Sequence, residues 1–116
     1  MSRLITKDKP TVCLDFDGVF NTYKGYDGDN LGKPRPGIKK FLEQLSKEYS
    51  ITIFSVRRYS KIITWLDEYG LLSYVDNVTG YKPVALAYID DRAITFNGDY
   101  AATLKELKNF KPYWKE

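Results

Sequence analysis

The stretch Thr11-Val12-Cys13-Leu14-Asp15-Phe16-Asp17-Gly18-Val19 decides how the rest of the chain is read. Pro10 precedes it, and Val12, Cys13 and Leu14 make a short apolar run. Such a run reads as a buried strand. It ends on two acids one residue apart, followed by a glycine. In open parallel sheets, ligands bind beyond the carboxyl ends of the strands, so acids at this point occupy a functional position. Gly18 permits the chain to bend there and lets backbone approach closely.

Working outward, strands and helices alternate. Pro36-Gly37 opens a helical stretch in which Ile38, Phe41, Leu42, Leu45 and Tyr49 fall on one face. Residues 51–54 are a second β-rich run. Ser60 is placed to cap a helix carrying Ile62, Ile63, Leu66 and Tyr69, with Gly70 at its stop. Residues 74–79 read as a weaker third strand, 86–89 as a fourth and 93–96 as a short fifth. Asn97-Gly98 is a turn signal, and Asp99 is placed to cap a last helix with Leu104, Leu107 and Phe110 inward. This alternation predicts an α/β domain with a mostly parallel sheet.

Composition narrows the chemistry. At 116 residues, without repeats, the chain reads as a single domain over 1–116. It contains no histidine, which excludes a Ser–His–Asp triad and an HExxH zinc site. Its single cysteine excludes an intrachain disulfide, and Cys13 reads as a small core residue. Catalysis is therefore left to carboxylates, lysine, hydroxyls or a bound hard cation. No apolar run nears the roughly 20 residues of a membrane span. The opening MSRLITKDKP lacks the apolar segment of a signal peptide, so a cytoplasmic location is expected.

The strand ends then stand out as a set: Asp15 and Asp17 after the first, Ser55 after the second, Asp90 and Asp91 after the fourth. Four carboxylates converging on one crevice repel one another strongly, so either one protonates or a cation binds. All-oxygen donors point to Mg²⁺ or Ca²⁺ rather than zinc. A few carboxylates completed by water and phosphate suit Mg²⁺. Lys82, in a loop before Pro83, supplies the opposite charge. Ser55 offers a hydroxyl to a phosphoryl oxygen.

The ordered set Asp15-Phe16-Asp17-Gly18-Val19, Ser55, Lys82-Pro83 and Asp90-Asp91 resembles the four motifs of the haloacid dehalogenase-like hydrolase superfamily. Pro34-Arg35-Pro36-Gly37 is similar to a stretch found in many of its phosphatases. The resemblance implies a Rossmann-like, three-layer α/β/α domain with a five-stranded sheet in the order 5-4-1-2-3. It implies Asp15 as nucleophile, forming an aspartyl-phosphate, and Asp17 as general acid–base. Asp15, the Asp17 carbonyl and Asp90 would hold Mg²⁺, with Asp91 assisting directly or through water. Ser55 and Lys82 would position the phosphoryl group and the nucleophile. An acid at position 17 favours phosphatase chemistry over dehalogenation.

The spacing leaves no room for a cap domain. Residues 18–35 make only a small flap, and a helix and strand use up the span from Ser55 to Lys82. By resemblance, a capless member acts on large substrates or borrows a neighbouring subunit as lid. The substrate-binding set is Gly18, Ser55, Val56, Arg57, Arg58 and Lys82, with Tyr23, Lys24 and Tyr26 in the flap. Four of the 15 acids fall in the carboxylate set, so the rest of the chain is more basic than the net charge of +3 suggests. That favours an anionic partner. The expected substrate is a phosphomonoester: a nucleotide, a nucleic-acid end or another large phosphorylated molecule. The expected assembly is a monomer or homodimer. Two alternatives use the same residue types. One is a non-catalytic phosphate- or metal-binding module. The other is a receiver-like phosphoacceptor, whose acidic pair would precede its phosphorylated aspartate, the reverse of the order here.

Overall fold

The central strand is β1 (Thr11–Asp15), buried along its middle as its apolar run requires. It pairs in parallel with β2 (Ser50–Phe54) on one side and β4 (Ala87–Ile89) on the other, while β3 (Asn77–Thr79) pairs in parallel with β2. The sheet order is β3-β2-β1-β4. The helices are α1 (Ile38–Leu45), α2 (Tyr59–Glu68) and α3 (Tyr100–Asn109). The computed structural model describes residues 9–25 and 27–115. Residues 1–8, which bear on a targeting signal, and Tyr26 of the flap lie outside the described residues.

Strand register explains the core. Val12 pairs with Ile51, and Leu14 with Ile53 and Ile89. Side chains two apart share a face. Val12, Leu14, Ile51 and Ile53 join Ile38 and Leu42 of α1 and Ile62, Trp65 and Leu66 of α2 in one apolar cluster. Cys13 and Thr52, paired in register, point to the other face with Tyr88. The core is thus built on the face that α1 and α2 share. Among the described residues, no helix is long and apolar enough to cross a membrane.

Three expectations change at the edges. The described residues form a four-stranded sheet, and 93–96 add no strand. Asp90 Oδ1 accepts the Arg92 N–H at 2.8 Å, a local turn that breaks the extended path directly after β4. Residues 72–74 form a 3-10 turn, because Tyr74 and Val75 donate back to Leu71 and Leu72, so the third strand starts only at Asn77. Ser60 lies inside α2. The helix opens on the Arg58 carbonyl, which accepts from Lys61 and Ile62. At the far end Gly70 follows the helix with φ 70°, a conformation suited to glycine.

Helix α3 departs furthest from expectation. Asp99 does cap it, its side chain accepting the Ala102 N–H at 3.1 Å. Yet α3 has no buried residue, and Leu104 and Leu107 are 66% and 60% exposed. All three residues of β4 are exposed too. Among the described residues no fifth strand lies outside β4, so the sheet offers no floor for the apolar positions of α3.

Candidate functional site

Parallel pairing carries the ends of β1 and β4 side by side, and the acids that follow meet there. Asp15, Asp90 and Asp91 each present an oxygen within 4.8 Å of the others. The Asp15 carboxyl is pushed up to about 8, from an ordinary value of 3.8. Burial is the largest cause. A hydrogen bond with Asp91 and the charges of Asp90, Asp91 and Asp17 add to it. Asp91 Oδ1 is buried, with no hydrogen-bond partner among the described residues. Crowded carboxylates with an orphaned oxygen fit a hard divalent cation, and oxygen-only donors suit Mg²⁺ or Ca²⁺.

Gly18 makes this packing possible. Its φ is 88°, and a Cβ there would fall 2.2 Å from Asp91 Oδ2. Any side chain at position 18 would displace the acid.

Asp17 points elsewhere. Its Oδ2 accepts from Arg57 Nε at 2.8 Å, and its Oδ1 from Asn21 Nδ2 at 2.9 Å. Its backbone carbonyl is the atom that the resemblance assigns to a cation. Arg57, expected to meet substrate, is turned inward and also donates to the Gly28 carbonyl at 2.9 Å. Ser55 ends β2 and is buried, its Oγ accepting the Arg57 N–H at 3.1 Å. Val56 and Arg58 are exposed at the rim. Lys82 is exposed, with Nζ 4.8 Å from the centroid of the Tyr88 ring. Its charge reaches β1, where it partly offsets the effects of burial, Asp15 and Asp90, which push the Cys13 thiol up.

The flap closes through a narrow neck. Asn21 bridges antiparallel to Pro34, and Arg35 N–H donates to the Phe20 carbonyl at 2.9 Å. Trp65 Nε1 holds the far side through the Gly32 carbonyl at 2.9 Å. Between flap and α2 lies an open cleft of about 550 Å³. Its lining includes Asp17, Tyr23, Arg57, Arg58, Lys61 and Arg92.

Sequence reading passed over Asn21, Tyr113 and Trp114. Asn21 is 1% exposed and ties Gly18, Asp17 and Leu31 together. Its signal was a polar amide one turn after the DxDG glycine. Tyr113 donates to the Gly18 carbonyl at 2.7 Å, and Trp114 Nε1 donates to Asp91 Oδ2. Their signal was two large aromatics after the last helix, where no core position called for them.

No protein-family model matches the chain. No curated protein matches it. Among solved structures, it is similar to a conserved protein from Bacteroides thetaiotaomicron, with a TM-score of 0.58 and 23% identity. The match covers 90% of this chain and 94% of that one. At that identity the likeness establishes the fold alone: an α/β domain built on a parallel sheet.

Proposed function

We propose that the protein is a Mg²⁺-dependent phosphatase of the haloacid dehalogenase-like type. The observation that carries this reading is the meeting of Asp15, Asp90 and Asp91 at the carboxyl end of a parallel sheet, where Asp91 Oδ1 is buried with no partner among the described residues. Asp15, Asp90 and the Asp17 carbonyl would hold the cation, with Asp91 beside them. Bound there, Mg²⁺ supplies positive charge that offsets the substrate phosphoryl and the carboxylates.

The chain's own groups do the rest. Asp15, ionised, attacks phosphorus in line with the leaving oxygen and becomes an aspartyl-phosphate. Asp17 gives the leaving oxygen its proton, then takes one from the water that hydrolyses the acyl phosphate. Ser55 donates its hydroxyl to a phosphoryl oxygen. Lys82 serves the same anion once it leaves Tyr88. The cleft sets Arg57, Arg58, Lys61 and Arg92 against Asp17 and Asp29, and this positive excess with Tyr23 supports an anionic, base-bearing substrate such as a nucleotide or nucleic-acid end. The finer fold reading belongs to the same proposal: β3-β2-β1-β4 follows the 4-1-2-3 part of the Rossmann-like order, without its fifth strand. So do a cytoplasmic location and a monomeric or homodimeric state.

Hydrolysis of an aryl phosphate tests the proposal. Activity should require Mg²⁺ and fall at least about 10³-fold in Asp15→Asn, as expected when a covalent nucleophile is lost. Retention of activity in that variant overturns Asp15 as nucleophile. One observation favours a second reading, a phosphate-binding module that does not turn over. Both Asp17 oxygens are already engaged, by Arg57 and Asn21. Tight binding of orthophosphate with Mg²⁺, without hydrolysis of any monoester, would select it.

A further inference from the structure

The segment after α3 returns to the carboxylate site, and the site is what holds it. Lys115 N–H donates to the Pro112 carbonyl at 3.1 Å, a tight turn that presents residues 113 and 114 together. Tyr113 Oη donates to the Gly18 carbonyl at 2.7 Å, and Arg35 lies over its ring at 5.1 Å. Trp114 Nε1 donates to Asp91 Oδ2, and its ring meets Tyr23 edge-on at 5.2 Å. These attachments go to the β1 loop, the flap, the chain just before α1 and the acid after β4. Helix α3 has no buried residue, so its packing does not bring the segment here.

We infer that this segment is a positioning strap for the cation site, with Trp114 as the residue that aims Asp91. The inference rests on the cation reading above. A carboxylate can rotate about its last bond, and crowding by Asp15 and Asp90 gives it reason to turn away. The indole N–H fixes Oδ2. That fixes the other oxygen, the buried and donorless Oδ1, in place. Tyr113 acts on the same centre from below, by pinning the Gly18 carbonyl beside the Asp17 backbone. Outer partners that orient a metal's ligands are worth about 10–100-fold in affinity. Trp114 is therefore a positioning residue, not a catalytic one.

The test is a Mg²⁺ titration of protein labelled with ¹⁵N at tryptophan. Two indole signals serve, Trp114 on Asp91 and Trp65 on the Gly32 carbonyl. The Trp114 signal, identified by its loss in Trp114→Phe, should move along the binding curve while that of Trp65 stays. Calorimetry on Trp114→Phe, which keeps an aromatic side chain and removes the indole N–H, should give Mg²⁺ affinity weaker by about 10–100-fold. Its melting temperature should stay near that of the parent. Unchanged or tighter affinity in the variant overturns the inference and leaves the cation site standing. Absence of Mg²⁺ binding in the unaltered protein overturns both. Should Trp114→Phe not fold, the Trp114 signal is assigned by triple-resonance spectra of uniformly labelled parent, and its indifference to Mg²⁺ overturns the inference alone.

Discussion

Asp15 sets the conflict between stability and chemistry in this molecule. Its carboxyl is raised to about 8 by burial, by its bond to Asp91 and by neighbouring charges. Between about pH 4 and pH 8 the unfolded chain has released this proton while the folded chain still holds it. The folded state then binds more protons, so stability falls as pH rises through that window. Asn at this position carries no proton to lose. Asp15→Asn should therefore melt at the same temperature as the parent near pH 4 and higher near pH 8, without added cation. Allowing for solvent screening of a partly exposed group, the gain should be about 1 kcal/mol, or roughly 5 °C. It is read by thermal denaturation at several pH values. A pH-independent difference would mean that the acids around Asp15 do not crowd it. Gly18, with no side chain to strike Asp91, lets the acids come this close.

At the scale of elements, the flap depends on one amide. Asn21 accepts from Gly18 N–H at 2.8 Å and donates to Asp17 Oδ1 and the Leu31 carbonyl. Removing its side chain leaves buried backbone groups unpaired and releases Asp17 from one of its two holders. Asn21→Ala should cost about 1–3 kcal/mol. Amide exchange should speed up first in residues 27–34, before α1 or β2 respond. Exchange that rises evenly over the chain would show that the flap is not a separate unit. Much at this scale was legible in the sequence: β1, β2, α1, the Gly70 stop and the Asp99 cap follow from apolar spacing and turn chemistry. The three strand-end motifs, and Lys82 in the loop before β4, were legible as positions. The inward turn of Arg57 onto Asp17 was not, since residues 40 apart meet only once β1 and β2 are paired. Nor was the strap, because Trp114 and Asp91 lie 23 residues apart and meet through contacts at the site, not through any local pattern.

At the scale of the whole molecule, apolar burial is unequal across the sheet. Leu42 is fully buried among β1, β2 and α2, whereas Leu104 on α3 is 66% exposed, although both fall at helical apolar positions. Periodicity marks a face as apolar, but burial depends on whether a sheet lies beneath it. Beneath α3 the described residues place no strand outside β4, and that leaves its apolar face in water. The two leucines should therefore respond differently to the same change. Leu42→Ala opens a cavity in the one apolar cluster and should cost about 2–5 kcal/mol, a large share of the roughly 5–15 kcal/mol that holds a small domain folded. Leu104→Ala removes surface that water already reaches and should cost no more than about 0.5 kcal/mol. Urea denaturation of both variants, followed by far-ultraviolet circular dichroism, measures the contrast. Equal losses would mean that α3 is packed as deeply as α1, and that the core has two faces instead of one.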